Sequence, residues 1–224
     1  MLLGGSALAV NWANEHVPAI LDAWYPGEEG GTAIADVLFG DYNPGGRLPV
    51  TFYKSVDQLP PFTDYRMLGR TYRYFKGDPL FPFGFGLSYT KFDYEKLKLG
   101  ANNLKAGEKL KITAEVQNTG NFGGDEVVQL YVTDVAAPFP VPVRSLAGIK
   151  RVFLKAGEKQ NVSFTLSPAQ MSLIDDGGKR VIEPGGFLIS VGGKEPGFAG
   201  RADANTTGVV TARFVVTGKV TKVE

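Results

Sequence analysis

The sequence predicts two architectures in one chain, an α/β segment first and an all-β sandwich of immunoglobulin type after it. Three observations predict this. Over residues 1–54 the apolar residues pass from strand-like runs to helical spacing and back. From Lys109 to Gln117 they alternate strictly: Leu110, Ile112, Ala114 and Val116 face one way, Lys109, Lys111, Thr113 and Glu115 the other. That is a strand with one wet face. Finally, 29 glycines and 14 prolines are dispersed between short segments, as an all-β region needs.

Taken in order, Met1 to Leu3 reads as the end of a strand. Val17 to Trp24 sets Val17, Ile20, Leu21 and Trp24 at helical spacing, with Pro18 early, where proline is tolerated. Thr32 to Phe39 repeats the pattern with Ile34, Val37 and Leu38, and Gly40 stands where a helix would stop. Leu48 to Tyr53 reads as a strand. Strand, helix, helix, strand is α/β grammar, with too few layers for a whole domain of that class. The opening MLLGGSALAV is broken by Gly4, Gly5 and Ser6 and has no basic residue before it. It therefore reads as a buried strand running into a loop, not a secretory signal, and is expected to have had something upstream.

Residues 55–89 are rich in proline, glycine and aromatics and hold no period for long. They are too aromatic for a disordered linker. An ordered connection is expected, pinned by Phe62, Tyr65, Tyr72, Tyr74, Phe81, Phe83 and Phe85. The sandwich is expected over residues 90–219, with a tail at 220–224. Its strands are placed at Lys109–Gln117, Glu126–Thr133, Leu146–Leu154, Gln160–Leu166, Phe187–Val191 and Val209–Val216. Turns are placed at Ala156–Glu158, Asp176–Gly178 and Pro184–Gly186. With no cysteine in the chain, the fibronectin-III-like variant fits better than a disulfide-bonded immunoglobulin domain. This sandwich is expected to fold by itself.

Composition excludes several functions. The formal net charge of +1 gives no field to recruit nucleic acid or an acidic membrane. Without cysteine there is no thiolate metal site or cysteine nucleophile, and a single histidine, His16, cannot build a histidine metal site. No cofactor is expected. The glycine runs at Gly27–Gly31 and Gly84–Gly86 lack the lysine and hydroxyl of a phosphate loop.

Three stretches in order carry a resemblance: AWYPGEEGGTAIADVLFGDYNPGGRLPVTFYKSVDQLP from Ala23 to Pro60, GRTYRYFKGDPLFPFGFGLSYTKF from Gly69 to Phe92, and the later pair VQNTGNFGGDEVVQLYV and LAGIKRVFLKAGE. The chain resembles the C-terminal part of family 3 glycoside hydrolases of the β-glucosidase and β-xylosidase type. The resemblance implies a barrel carrying an aspartate nucleophile, then an α/β sandwich domain carrying the acid/base glutamate on a loop, then a fibronectin-III-like domain. Residues 1–54 would be the C-terminal end of that α/β domain. Neither catalytic motif of the family has a match in these residues, so the chain alone is expected to lack a complete catalytic site. A periplasmic or extracellular location is implied too.

Against that background Glu28 and Glu29 are the candidate catalytic carboxylates. Retaining glycosidases need two carboxyl groups about 5 Å apart across the scissile bond. Adjacent residues seldom face each other so, and a helix start, where free N–H groups favour negative charge, is the competing role. Arg70 and Tyr72 are the candidate substrate-binding residues, since arginine donates to hydroxyls and aromatic rings cover sugar faces. Packing at an interface is the competing role. Arg47 can pair with a carboxylate. Two functions remain open. One is part of a retaining, exo-acting β-glycosidase, acting on β-linked glucosides or xylosides and partnered by a barrel domain or by self-association. The other is a stand-alone carbohydrate- or protein-binding sandwich module.

Overall fold

The computed structural model describes residues 1–198 and 204–223. Residues 199–203 of the expected sandwich and Glu224 of the expected tail lie outside the described residues.

The N-terminal limb, residues 1–89, carries three helices: α1 (Asn11–His16), α2 (Gly30–Phe39) and α3 (Thr71–Tyr74). The expected helix at Thr32–Phe39 is α2. It ends at Gly40, whose φ of 87° lets its N–H reach back to the Val37 carbonyl.

The helix expected at Val17–Trp24 does not form. α1 lies earlier and stops at Val17, which is extended (φ −110°, ψ 146°), as a residue before proline prefers. The chain beyond it is taken by another partner. Leu2 N–H donates to Leu21 O at 2.8 Å, and Ala23 N–H donates to Leu2 O at 3.0 Å, a short parallel pairing. Helical spacing of Ile20 and Trp24 was therefore coincident with a different geometry. Both still pack on a small core of Phe52, Leu80 and Phe81. The strands expected at Met1–Leu3 and Leu48–Tyr53 shrink to single bridges, Leu2 with Asp22 and Phe52 with Phe81. Leu48 and Phe85 extend the second: Leu48 N–H donates to Phe85 O, and Gly84 N–H to Leu48 O, each at 2.8 Å.

Over residues 55–89 not every one of the named aromatics packs inward. Phe81 is buried and Tyr72 stacks on Phe83 with ring centres 4.2 Å apart. Phe62 and Tyr65 instead stand out, 91% and 89% exposed.

The sandwich has eleven strands among the described residues: β1 (Phe92–Leu99), β2 (Asn103–Lys105), β3 (Leu110–Asn118), β4 (Gly124–Asp134), β5 (Ser145–Leu154), β6 (Lys159–Leu166), β7 (Leu173–Ile174), β8 (Arg180–Ile182), β9 (Gly185–Gly192), β10 (Val209–Thr217) and β11 (Thr221–Lys222). One sheet runs β1-β3-β6. The other runs β2-β10-β9-β4-β5, and a small third sheet runs β11-β8-β7. All pairings are antiparallel except β2 with β10. The alternating face of β3 fills the space between the two large sheets, with Ile112 and Val116 against Val128, Leu130, Ile189 and Phe214.

β1 escaped the sequence reading for a definite reason. Its register against β3 slips between Glu95 and Lys98, where Lys96 and Leu97 face the single residue Ala114, and Lys96 sits at φ 53°. Such a bulge breaks the period-two pattern that marks a strand. β9 also begins at Gly185, inside an expected turn.

Candidate functional site at the seam of limb and sandwich

The limb and the sandwich share buried polar groups. The extended Gly45-Gly46-Arg47 segment lays Arg47 against β4. Its Nη2 lies 2.6 Å from Glu126 Oε2, with side-chain exposures of 5% and 0%. Arg47 also donates to three carbonyls: Nε to Gly193 O at 3.1 Å, and Nη1 to Gly45 O at 3.2 Å and Gly46 O at 3.0 Å. Glu126 Oε1 accepts from the Tyr94 hydroxyl at 2.7 Å and the Thr207 hydroxyl at 2.5 Å. Burial, then the charge of Glu126, holds the Tyr94 hydroxyl well above its ordinary pKa, so it remains a donor. Glycine is required here: a Cβ on Gly193 would fall 1.8 Å from Glu126 Oε1.

Two further contacts tie the seam. Gln129 Nε2 donates to Gly84 O at 3.1 Å and Gly193 O at 3.0 Å, while its Oε1 accepts from the Tyr131 hydroxyl at 2.6 Å. The Asn43 amide donates to Gly123 O at 2.9 Å and accepts from the Ser88 hydroxyl and the Tyr89 N–H. The carboxylate partner of Arg47 is thus Glu126, far away in sequence. It carried one signal: Glu126, Val128, Leu130 and Val132 share one face of β4, and a carboxylate in register with a buried apolar row needs a partner. The countercharge of Glu126 also lies outside residues 90–219, so the sandwich span does not contain all that satisfies its own core.

Arg70 and Tyr72, the candidate binding residues, sit at and in α3. The Arg70 guanidinium donates to Arg66 O at 3.3 Å, Pro61 O at 3.0 Å and Asp64 O at 2.7 Å. The Tyr72 hydroxyl accepts from Leu146 N–H at 3.2 Å, and its ring meets Phe83 and Tyr131. Arg70 therefore clamps the loop at residues 61–66, and Tyr72 docks α3 on the sandwich. Asp64 and Arg66 close the same loop with two side-chain bonds of 3.0 and 2.8 Å, which hold the Asp64 carboxyl at about 2. The loop so fixed presents Phe62 and Tyr65 to the outside.

Glu28 and Glu29 are both exposed at the start of α2. Glu29 occupies the N-cap without a side-chain capping bond, and its carboxylate accepts from the Thr32 hydroxyl at 3.2 Å. The structure brings neither toward Arg70 or Tyr72 by any hydrogen bond or ion pair.

Two clefts flank Tyr72. One, of about 480 Å³, runs along Pro140–Pro142 and Gln170–Ile174. The other, of about 500 Å³, lies between the Phe75–Pro79 turn and the Arg144–Glu195 ion pair. Asp78 on its rim holds Lys54. Both clefts combine aromatic walls with a few polar groups, the make-up of small-molecule sites.

Residues 1–89 match the family described as glycosyl hydrolase family 3 C-terminal domain, and residues 126–195 match the fibronectin type III-like domain. A β-xylosidase of Formosa agariphila is 43% identical over 197 residues, covering 86% of this chain and 27% of the relative. A periplasmic β-glucosidase of Salmonella typhimurium is 39% identical, again covering 86% of this chain and 27% of the relative. A solved β-glucosidase of Erythrobacter marinus superposes with a TM-score of 0.80 at 38% identity, covering 96% of this chain and 27% of that one. The chain thus spans about a quarter of the length of the relatives it matches.

Proposed function

The chain is a C-terminal part of a family 3 glycoside hydrolase, and from that premise we propose that it serves a retaining, exo-acting β-glycosidase as a rigid scaffold and pocket wall. The substrate is a β-linked glucoside or xyloside. The observation that carries this reading is the clamped loop at residues 61–66. A scaffold role needs a presenting surface held by its own bonds, and Arg70 spends its donors on three backbone carbonyls to hold one. The buried Arg47–Glu126 pair fixes the limb that carries this loop to the sandwich. The names of the relatives, β-xylosidase and β-glucosidase, support the substrate class. The relative named periplasmic supports a location outside the cytoplasm.

The limb exposes Trp12 at 69%, Tyr25 at 80%, Leu38 at 64% and Phe39 at 83%. A barrel-bearing partner segment, or a second copy of the chain, covers these apolar side chains. Glu28 and Glu29 serve the start of α2 and do no bond-breaking.

The test is turnover of an aryl-β-glucoside and an aryl-β-xyloside. Chain 1–224 is assayed alone, then with the barrel-bearing portion of a relative added in trans, host enzymes being excluded. No turnover alone and activity on mixing are expected, together with association by light scattering. Turnover by the chain alone that disappears in Glu28→Gln or Glu29→Gln would make those carboxylates catalytic and end this reading.

A further inference from the structure

Among the described residues the Arg144–Glu195 pair, with side-chain exposures of 23% and 5%, is unlike the buried Arg47–Glu126 pair. Around Glu126, further hydrogen bonds accompany the ion pair. Glu195 is 5% exposed, and one of its oxygens accepts from Arg144 Nη1. Among the described residues, nothing else bonds that carboxylate or the remaining donors of that guanidinium. A buried pair gains little unless its remaining lone pairs and protons are also satisfied. Thr51, in the same wall, adds a buried hydroxyl without a protein partner.

These groups line the cleft of about 500 Å³, within the usual range for a bound small molecule. Apolar surfaces line the same cleft: Phe75, Pro79 and Pro82. Phe75 is braced by Tyr53, edge to face at 5.0 Å, so its ring is held in place. Among the described residues the formal charges lining the cleft balance, Lys76 and Arg144 against Asp78 and Glu195. No net field selects a phosphate or a metal ion. What fits is a neutral molecule with an apolar face and an edge that both donates and accepts.

We propose that this cleft binds a neutral pyranose sugar, one hydroxyl of a vicinal diol donating to Glu195 and its neighbour accepting from Arg144, with the ring's C–H face against Phe75. The proposal rests on the cleft and its side chains, independently of whether the chain serves a glycosidase.

The test is protein-observed amide NMR on nitrogen-15-labelled chain 1–224, with calorimetry, titrated with glucose, xylose, cellobiose and xylobiose. Binding with a Kd of roughly 1–10 mM is expected, the range of a few polar contacts to a small solute. Backbone amide shifts should map to residues 75–79, 144 and 195–197. Glu195→Gln, which keeps shape but removes the charge, should weaken binding roughly tenfold, as loss of a charged hydrogen bond does. Asp134→Asn, in the other cleft, should leave affinity unchanged. If Glu195→Gln proves unstable, the amide map of the unaltered chain decides alone. No saturation by any of the four sugars at roughly 50 mM would overturn the proposal. So would shifts confined to the other cleft, or inorganic phosphate binding more tightly than the sugars.

Discussion

Replacing Arg47 with methionine should show how strongly the limb is fastened to the sandwich. Methionine retains much of the apolar stem but leaves Glu126, with 0% side-chain exposure, as a buried carboxylate without its cation. Tyr94 and Thr207 still donate, but both to Oε1; Oε2 loses the bond made by Arg47. The carbonyls of Gly45 and Gly46 lose their arginine donor too, whereas Gly193 O keeps Gln129. Removing one member of a buried pair costs about 3–5 kcal/mol. For a chain of this size that is a fall in Tm of about 6–20 °C. Glu126→Gln alone should also be costly, because it strands the guanidinium. The double variant Arg47→Met/Glu126→Gln should recover part of the loss, since a neutral amide accepts the two hydroxyls without a buried charge. A coupling of about 2 kcal/mol is expected from the cycle. Urea unfolding followed by circular dichroism and tryptophan fluorescence measures it, with Cm falling at constant m. A cost below about 1 kcal/mol for Arg47→Met, or additivity within about 0.5 kcal/mol, would refute the argument.

Limited chymotrypsin digestion should cut first at exposed Phe62 or Tyr65. The fragments should still elute together under native conditions, because Arg47, Leu48 and Phe52 on the near side remain bonded to the far side; early release of the N-terminal piece would count against a fastened limb. Carboxyl carbon NMR should place Asp64 at about 2, lowered first by its side-chain bond to Arg66, and Arg66→Gln should return it toward 3.8. Because that pKa is lowered on folding, the clamp's contribution is present above the unfolded value and fades as pH falls through the folded one; an Asp64 midpoint unchanged by Arg66→Gln would deny the pair. Gly84→Ala should cost about 1–3 kcal/mol in urea unfolding, for a residue at positive φ; its φ is 74° and its new Cβ would lie 2.2 Å from Gln129 Oε1. Gly46→Ala, which meets nothing within 4 Å, is the control, and equal losses at the two sites would remove the steric explanation.

The sequence by itself determined the two-part architecture, most of the long strands and the stop of α2 at Gly40. These depend on local periodicity and on the backbone freedom of single residues, which neighbours in sequence report. Two of its errors have the same origin. Val17–Trp24 has helical spacing, but the N–H of Leu2 and the carbonyl of Leu21 found each other across the chain, and Pro18 favoured the extended form. β1 has strand chemistry, but the bulge at Lys96 hid its alternation. The candidate residues were nameable, and their partners were not. Arg70 was legible as a donor, yet only the folded loop shows its donors spent on three carbonyls. Glu126 was legible as a charge in an apolar row, yet its cation stands 79 residues earlier. Arg144 and Glu195 are 51 residues apart, and nothing in either neighbourhood points to the other. Tertiary structure alone decided these pairs, because a charge in a core is tolerated only where folding delivers its counterion, and that delivery follows from topology and not from local pattern.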